Sequence, residues 1–229
     1  MYDYDIVCIG GGPGGSACAM RSADRGKKVA IIEARLKNGS GGTCVNRGCI
    51  PTKALMASTN LYASLKEAKA YGINIDMSAV TVDFKAIDKR RKGVINNLGF
   101  GLETLLWKKS RGIDVIKGRA RLVDAHTIEV DNGKEKKTVT AEYINIAVGS
   151  EPAEIPAFHV DHQKVITSNE IMDFSRPMPK SIVIIGSGAI GLEYAHIYNT
   201  FDIPVTIVEM MPDLVPALHE PEITDAVRK

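Results

Sequence analysis

The stretch YDIVCIGGGPGGSACAMRSADRGKKVAIIEA, residues 4–34, reads as a short β-branched strand, a glycine turn, a helix and a second strand. Its apolar runs lack polar alternation, as suits strands buried on both faces of a parallel sheet. SIVIIGSGAIGLEYAHIYNTFDIPVTIVEM, residues 181–210, repeats that order. Each turn fits G-x-G-x-x-G, with Gly10, Gly12 and Gly15 in the first copy and Gly186, Gly188 and Gly191 in the second. One glycine permits the tight turn, one admits a pyrophosphate against the backbone, and one lets the helix pack on the strand. The helix start, with Pro13 and Gly14 in one copy and Ile190 in the other, offers free N–H groups and a positive dipole end to phosphate. Glu33 and Glu209 end the next strands, each 23 positions after the first glycine, where a carboxylate accepts hydrogen bonds from a ribose. Two copies at one spacing predict an α/β chain of two Rossmann-like dinucleotide-binding modules, residues 1–150 and 151–229, the second incomplete.

Composition agrees with a globular chain. Of the 229 residues, 45% are hydrophobic and 24% charged, and the net charge of +2 gives no electrostatic reason to expect nucleic acid or an anionic membrane as partner. The densest basic run, DKRRKG at 88–93, reads as the solvated face of a helix. No apolar stretch approaches a membrane span, and the N-terminus shows neither a basic n-region nor a cleavage site, so a cytoplasmic location is expected.

Between the glycine turns, PTKALMASTNLYASLKEAKAYG (51–72) places Ala54, Ala57, Leu61, Leu65 and Ala68 on one helical stripe. Residues from about Phe84 to Lys109 read as another helix, interrupted at Gly99 and Gly101. Asp131-Asn132-Gly133 is a hairpin turn between two strand-like runs, and EPAEIPAF (151–158) reads as a linker.

GGTCVNRGCIPTK, residues 41–53, then sets Cys44 and Cys49 five positions apart. Two thiols supply only two of the four ligands of structural zinc, and Cys8 and Cys18 look like small buried hydrophobes, so no metal is expected. Continuous helix would hold the two Cα atoms roughly 8–9 Å apart, beyond the roughly 7 Å limit for a disulfide. A bond therefore needs a distorted turn, which eases its reduction. Pro51 disfavours helix at Ile50, while a helix N-terminus and the Lys53 ammonium, one turn after Cys49, favour thiolate. These features suit a pair that opens and closes.

With a glycine-rich FAD motif, GGTC-x4-C-x-P-x-K and a second dinucleotide motif, the whole chain resembles the flavin-dependent pyridine-nucleotide disulfide reductases. Within them, CIPTK followed by ALMAS most resembles the dihydrolipoyl dehydrogenases. The resemblance implies an enzyme that oxidises a protein-bound dihydrolipoyl group through a Cys44–Cys49 disulfide and FAD, passing hydride to NAD. It makes Cys44 the outer, exchanging cysteine and Cys49 the inner one against the flavin. It sets Lys53 beside the flavin and pairs it with Glu193. The first glycine turn and Glu33 would take the ADP half of FAD, Gly42 and Thr43 would lie along the flavin, Ala120 near the adenine, and Gly149 would also touch the cofactor. Glu209 would favour NAD, because a carboxylate repels the extra phosphate of NADP. The implied partner is the lipoyl-bearing protein of a 2-oxo acid dehydrogenase or glycine cleavage complex, and the implied assembly a homodimer.

Two positions depart from the resemblance. Ala147-Val148-Gly149 stands where relatives carry A-T-G, and Ala189 stands where relatives often carry a larger gating side chain. The resemblance also puts a dimer-forming domain and a catalytic His–Glu pair beyond Lys229. Other readings are a related NAD(P)H-dependent disulfide or mercuric reductase, and an inactive nucleotide-binding fragment.

Overall fold

The computed structural model describes residues 1–34 and 40–228. In chain order, β1 (Tyr4–Ile9), α1 (Pro13–Ala23) and β2 (Val29–Glu33) precede the short α2 (Gly42–Arg47) and the long α3 (Cys49–Glu67). The helix α4 (Phe84–Phe100) runs on through wider π-type turns at Gly101–Lys109 to β3 (Asp114–Lys117), β4 (Arg119–Leu122), β5 (Thr127–Asp131) and β6 (Lys136–Ile146). Then come β7 (Ile182–Ile185), α5 (Ala189–Thr200), β8 (Val205–Val208) and α6 (Pro221–Arg228). The chain packs as two compact units, Met1–Pro51 with Lys92–Ala153, and Thr52–Arg91 with Glu154–Lys229.

The first unit is built on a six-stranded sheet of order β3-β2-β1-β6-β5-β4. β1 runs parallel to β2 on one side and to β6 on the other, and β3 extends the parallel part beyond β2. Alternate residues of the central strands feed opposite cores, Val7, Ile9, Ala30 and Ile32 on one face and Cys8, Val29 and Ile31 on the other. That two-sided burial explains their unbroken apolar sequence. β6 belongs to two ladders: Ala141–Ile146 pairs parallel with β1, whereas Lys136–Thr140 pairs antiparallel with β5. The hairpin between β5 and β6 turns at Gly133 with φ +83°, and Asp131 and Asn132 accept hydrogen bonds from the turn's own N–H groups.

The second unit holds β7 and β8 as a parallel pair joined through α5. Its core gathers Leu55 with Met172, Phe174, Ile184, Tyr194, Ile197, Tyr198 and Ile203. Among the described residues no helix is long and apolar enough to cross a membrane.

Four local expectations are corrected. Ile50 is helical, since α3 starts at Cys49 and Pro51 falls in a first turn whose N–H groups have no intrahelical acceptor. The expected stripe through α3 holds only in part: Ala54 and Ala68 are buried, but Leu55 and Thr59 are fully buried while Leu61 is 64% exposed and Ala57 is also exposed. Thr59 tolerates burial because its hydroxyl donates to the Leu55 carbonyl at 3.1 Å. Gly99 does not interrupt α4; the change comes as a widening of the helix from Gly101. Finally, the run at 88–93 is not all solvated, because Asp88 and Arg91 form a buried ion pair at 2.6 Å while Lys89, Arg90 and Lys92 face solvent.

Candidate functional site

The first glycine turn is a place where only backbone fits. Gly10 has φ +103°, and a Cβ there would lie 2.2 Å from the Ala147 carbonyl oxygen. A Cβ on Gly15 would lie 1.9 Å from the Gly10 carbonyl oxygen, so α1 is seated directly on the turn. The Gly11 N–H donates to Glu33 Oε2 at 2.9 Å, and Glu33 is buried. No side chain caps the start of α1 at Gly12, which leaves the helix's first N–H groups facing outward.

These groups line one side of a cleft of about 550 Å³. Gly10 to Gly14, Glu33, Gly42, Thr43, Gly118 to Ala120 and Ala147 to Glu151 form its walls. Gly42 and Gly12 meet backbone to backbone, for a Cβ on Gly42 would come within 2.7 Å of the Gly12 Cα. A glycine-walled slot that leads to an uncapped helix start fits a flat dinucleotide carrying a pyrophosphate. Pro13, Ala120 and Gly149 therefore face the same cleft as Glu33 and Thr43, whereas Gly15 lies beneath it as packing. Val148 is 69% exposed on the cleft wall.

The second turn repeats the geometry in its own unit. Gly186 has φ +98°, and a Cβ on Gly191 would fall 2.3 Å from the Gly186 carbonyl oxygen. Gly188 caps α5 without a side-chain bond, and Ile190 in its first turn is 57% exposed. Glu209 reaches back as Glu33 does, accepting from the Ser187 N–H at 2.7 Å and the Ser187 hydroxyl at 2.8 Å. Its other oxygen accepts from the Met211 N–H at 2.9 Å. The Met211 and then the Ser187 hydrogen bonds bring its carboxyl down to about 2. The first turn has no counterpart of the Ser187 hydroxyl, because the equivalent residue is Gly11.

Cys44 lies in α2 and Cys49 opens α3, with the helix broken between them at Gly48. A Cβ on Gly48 would sit 3.2 Å from the Thr43 carbonyl oxygen, so that break folds tightly against the start of α2. All four cysteines are free thiols. Cys49 is exposed and Cys44 half-buried. Burial, and then its hydrogen bond with Cys49, pushes the Cys44 thiol up to about 11. The thiolate-favouring features expected around Cys49 do not extend to Cys44, where burial dominates. The Lys53 ammonium is engaged elsewhere, donating to Glu193 Oε1 at 2.7 Å and contacting Met56 Sδ at 3.5 Å. Among the described residues no group of three His, Cys, Asp or Glu side chains is arranged to hold a metal ion.

Several residues that shape these sites carry no motif. Trp107 is fully buried under Gly11 and donates its Nε1–H to Ser16 Oγ at 3.0 Å. Glu103 accepts hydrogen bonds from Ser40, Lys117 (2.7 Å) and Lys108 (3.0 Å), tying the π-type turns to the end of β3. Thr52 and Tyr194 share a buried hydrogen bond across 142 positions of sequence. Ser187, inside the second glycine motif, had the one available signal: a hydroxyl residue at the position after the first glycine.

Residues 4–229 match the pyridine nucleotide-disulphide oxidoreductase family. A dihydrolipoyl dehydrogenase of Bacillus subtilis is 38% identical over 217 residues, which cover 94% of this chain and 46% of that protein. One from Acholeplasma laidlawii is 37% identical over 222 residues, covering 95% and 63%. Among solved structures, a Cu(II) complex of the HOCl-induced flavoprotein disulfide reductase RclA from Escherichia coli superposes with a TM-score of 0.77 at 28% identity, over 99% of this chain and 46% of that one. The chain spans about half the length of the curated relatives it matches.

Proposed function

This chain belongs to the pyridine nucleotide-disulphide oxidoreductase family, and on that premise we propose that it forms the nucleotide-binding part of a dihydrolipoyl dehydrogenase. The observation that carries the reading is the Cys44–Cys49 dithiol set directly after Gly42 and Thr43, which wall the glycine-lined cleft. FAD, the cofactor that the family implies, would occupy that cleft with its pyrophosphate at the start of α1 and its ribose toward Glu33. When bound it supplies a two-electron relay between the cysteine pair and NAD. In functional terms residues 1–150 serve FAD and residues 151–229 serve NAD, a division distinct from the two compact units.

In the oxidised state Cys44 and Cys49 share a disulfide. A thiolate of the dihydrolipoyl group bonds to Cys44 Sγ, and the sulfur–sulfur bond breaks with its electron pair going to Cys49. The second substrate sulfur then closes the lipoyl disulfide and releases Cys44. The two substrate protons end on Cys44 and Cys49, leaving them as a dithiol. The substrate reacts as its thiolate, so a general base must first take its proton. Lys53 and Glu193 act as a pair near the relay. Glu209, ionised at any physiological pH, accepts from the ribose hydroxyls of NAD and repels the phosphate of NADP.

The partner in this reading is a lipoyl-bearing protein of a 2-oxo acid dehydrogenase or glycine cleavage complex, met by a homodimer in the cytoplasm. The likeness to a Cu(II)-bound flavoprotein disulfide reductase favours one second reading, in which the same dithiol reduces another disulfide or a metal ion. Steady-state assays of the protein carrying this chain separate the two. Dihydrolipoamide with NAD should turn over, and Cys44→Ser should abolish it. NADPH-driven reduction of Cu(II) or of another disulfide, with no dihydrolipoamide activity, would overturn the first reading in favour of the second.

A further inference from the structure

The Lys53–Glu193 pair does not hold itself in place. Its side chains are 60% and 32% exposed, and a pair that open to solvent contributes little by itself. Lysine's four-carbon stem has many rotamers, so a 2.7 Å contact needs both helix faces to be presented accurately.

The neighbouring residues supply what the pair lacks. Thr52 precedes Lys53 on α3, Tyr194 follows Glu193 on α5, and their hydroxyls meet at 3.2 Å. Both are buried, Thr52 at 3% exposure and Tyr194 at 2%. The Tyr194 ring packs in the core with Leu55, Phe174 and Ile197, so its hydroxyl is a fixed point. Successive residues on a helix differ in direction by about 100°. Holding Thr52 against Tyr194 therefore sets where Lys53 and Glu193 point. One further contact fixes α3 from α4, where Arg90 donates to the Ala54 carbonyl at 2.9 Å. Arg91 lies near enough to offset part of the rise that burial imposes on the Tyr194 phenol.

We propose that Thr52 and Tyr194 are positioning residues whose buried hydrogen bond sets the mutual rotation of α3 and α5, and so holds Lys53 on Glu193. The functional weight of this rests on the role given above to the Lys53–Glu193 pair; the positioning itself does not. The acylation rate of the solvent-accessible Lys53 amine reports whether its contact with Glu193 is kept.

The test is the acylation rate of Lys53 by an N-hydroxysuccinimide ester in the full chain, followed by peptide mass spectrometry. Thr52→Val keeps shape and removes the hydroxyl, Thr52→Ser keeps the hydroxyl, and Tyr194→Phe removes the partner. Thr52→Val and Tyr194→Phe should each raise the rate about two- to tenfold, the range a neutral hydrogen bond allows. Thr52→Ser should restore the parent rate, and the double variant should add nothing to either single one. Thermal melts identify unfolded variants; if Tyr194→Phe unfolds, the valine and serine variants at position 52 decide. Parent-like acylation in folded Thr52→Val, or equal rates for valine and serine, would overturn the proposal. Lys53→Met and Glu193→Gln, assayed for turnover, test the role of the pair separately, so failure of that reading leaves the acylation result standing.

Discussion

Replacing Gly15 by alanine puts a methyl group where the Gly10 carbonyl oxygen already is. The added Cβ would stand 1.9 Å from that oxygen, and real Cβ atoms essentially never approach closer than 3.0 Å. Since the obstacle is backbone, α1 must retreat by about 1 Å, a displacement that overpacked sites make at a cost of about 1–3 kcal/mol. In a chain of this size that corresponds to a fall of about 3–10 °C in Tm. The retreat also carries the first N–H groups of α1 away from the cleft. Losing one charge-assisted hydrogen bond to the pyrophosphate would weaken FAD about ten- to a hundredfold. Gly93→Ala is the matched control: it lies within α4, and nothing approaches an added Cβ within 4 Å. It should stabilise by about 0.5–1 kcal/mol through the unfolded chain. Melting curves and fluorescence titration with FAD read both quantities. A Gly15→Ala protein with parent-like Tm and FAD affinity would refute the claim that α1 is seated on the Gly10 carbonyl.

Burial would raise the carboxyl of Glu103, but hydrogen bonds from Lys117, Ser40 and Lys108 outweigh it and bring it to about 2. Its stabilising effect is whole above its ordinary value of 4.5 and is lost as pH falls from there toward 2, so Glu103→Gln should flatten the acid limb of a Tm-against-pH curve. An unchanged limb would show that the network adds nothing. Glu209→Arg should move the NADH-to-NADPH ratio of kcat/KM toward NADPH by at least about tenfold, because a phosphate-binding cation replaces a repelling carboxylate. A parent protein already indifferent between the two cofactors would contradict the reading of Glu209. Burial pushes the Cys8 thiol up to about 12, so in the native protein at pH 8 iodoacetamide should label Cys8 last and Cys49 well before it. Equal rates for these two, mapped by mass spectrometry, would mean that β1 opens readily.

What could be read in advance was whatever the backbone demands. Gly10 and Gly186 adopt φ near +100° and Gly15 and Gly191 lie against carbonyl oxygens, so each position excludes a side chain and the motif survives as letters. Glu33 and Glu209 were legible because a strand of fixed rise ends at a fixed count from the turn. Apart from Lys53 with Glu193, which the family resemblance supplied, pairings that close over long stretches of sequence were not legible. Nothing near Thr52 announces Tyr194, 142 positions away. The phase of α3 was read only in part because alanines and leucines fill several helical stripes at once, and only the core that receives Leu55 selects among them. Asp88 and Arg91 looked solvated because a charge run shows its sign and not its partners. Charges near the cysteine pair are legible in the sequence, but the burial that dominates at Cys44 is not.

β6 is a common rail for two ladders, and that makes its length a conserved quantity in the mechanical sense. Its second half is locked to β1, from Tyr4 opposite Ala141 to Ile9 opposite Ile146, and it delivers Ala147 to Gly149 to the cleft wall. Its first half is locked to β5, from Thr127 opposite Thr140 to Asp131 opposite Lys136. A residue gained or lost within the strand would have to reverse the facing of one half, since side chains alternate with a period of two. The half paired with β1, whose partner strand is set in the core, would keep its register and force the fault outward to the Thr140–Ala141 junction. Length can vary at the Asn132–Gly133 tip without shifting either register, but the tip adjoins the cleft by way of β5, since a Cβ on the cleft-wall residue Gly118 would lie 2.9 Å from the Asp131 carbonyl oxygen. A tag or reporter spliced in there would spare both ladders and load the part of the wall built from Gly118 to Ala120.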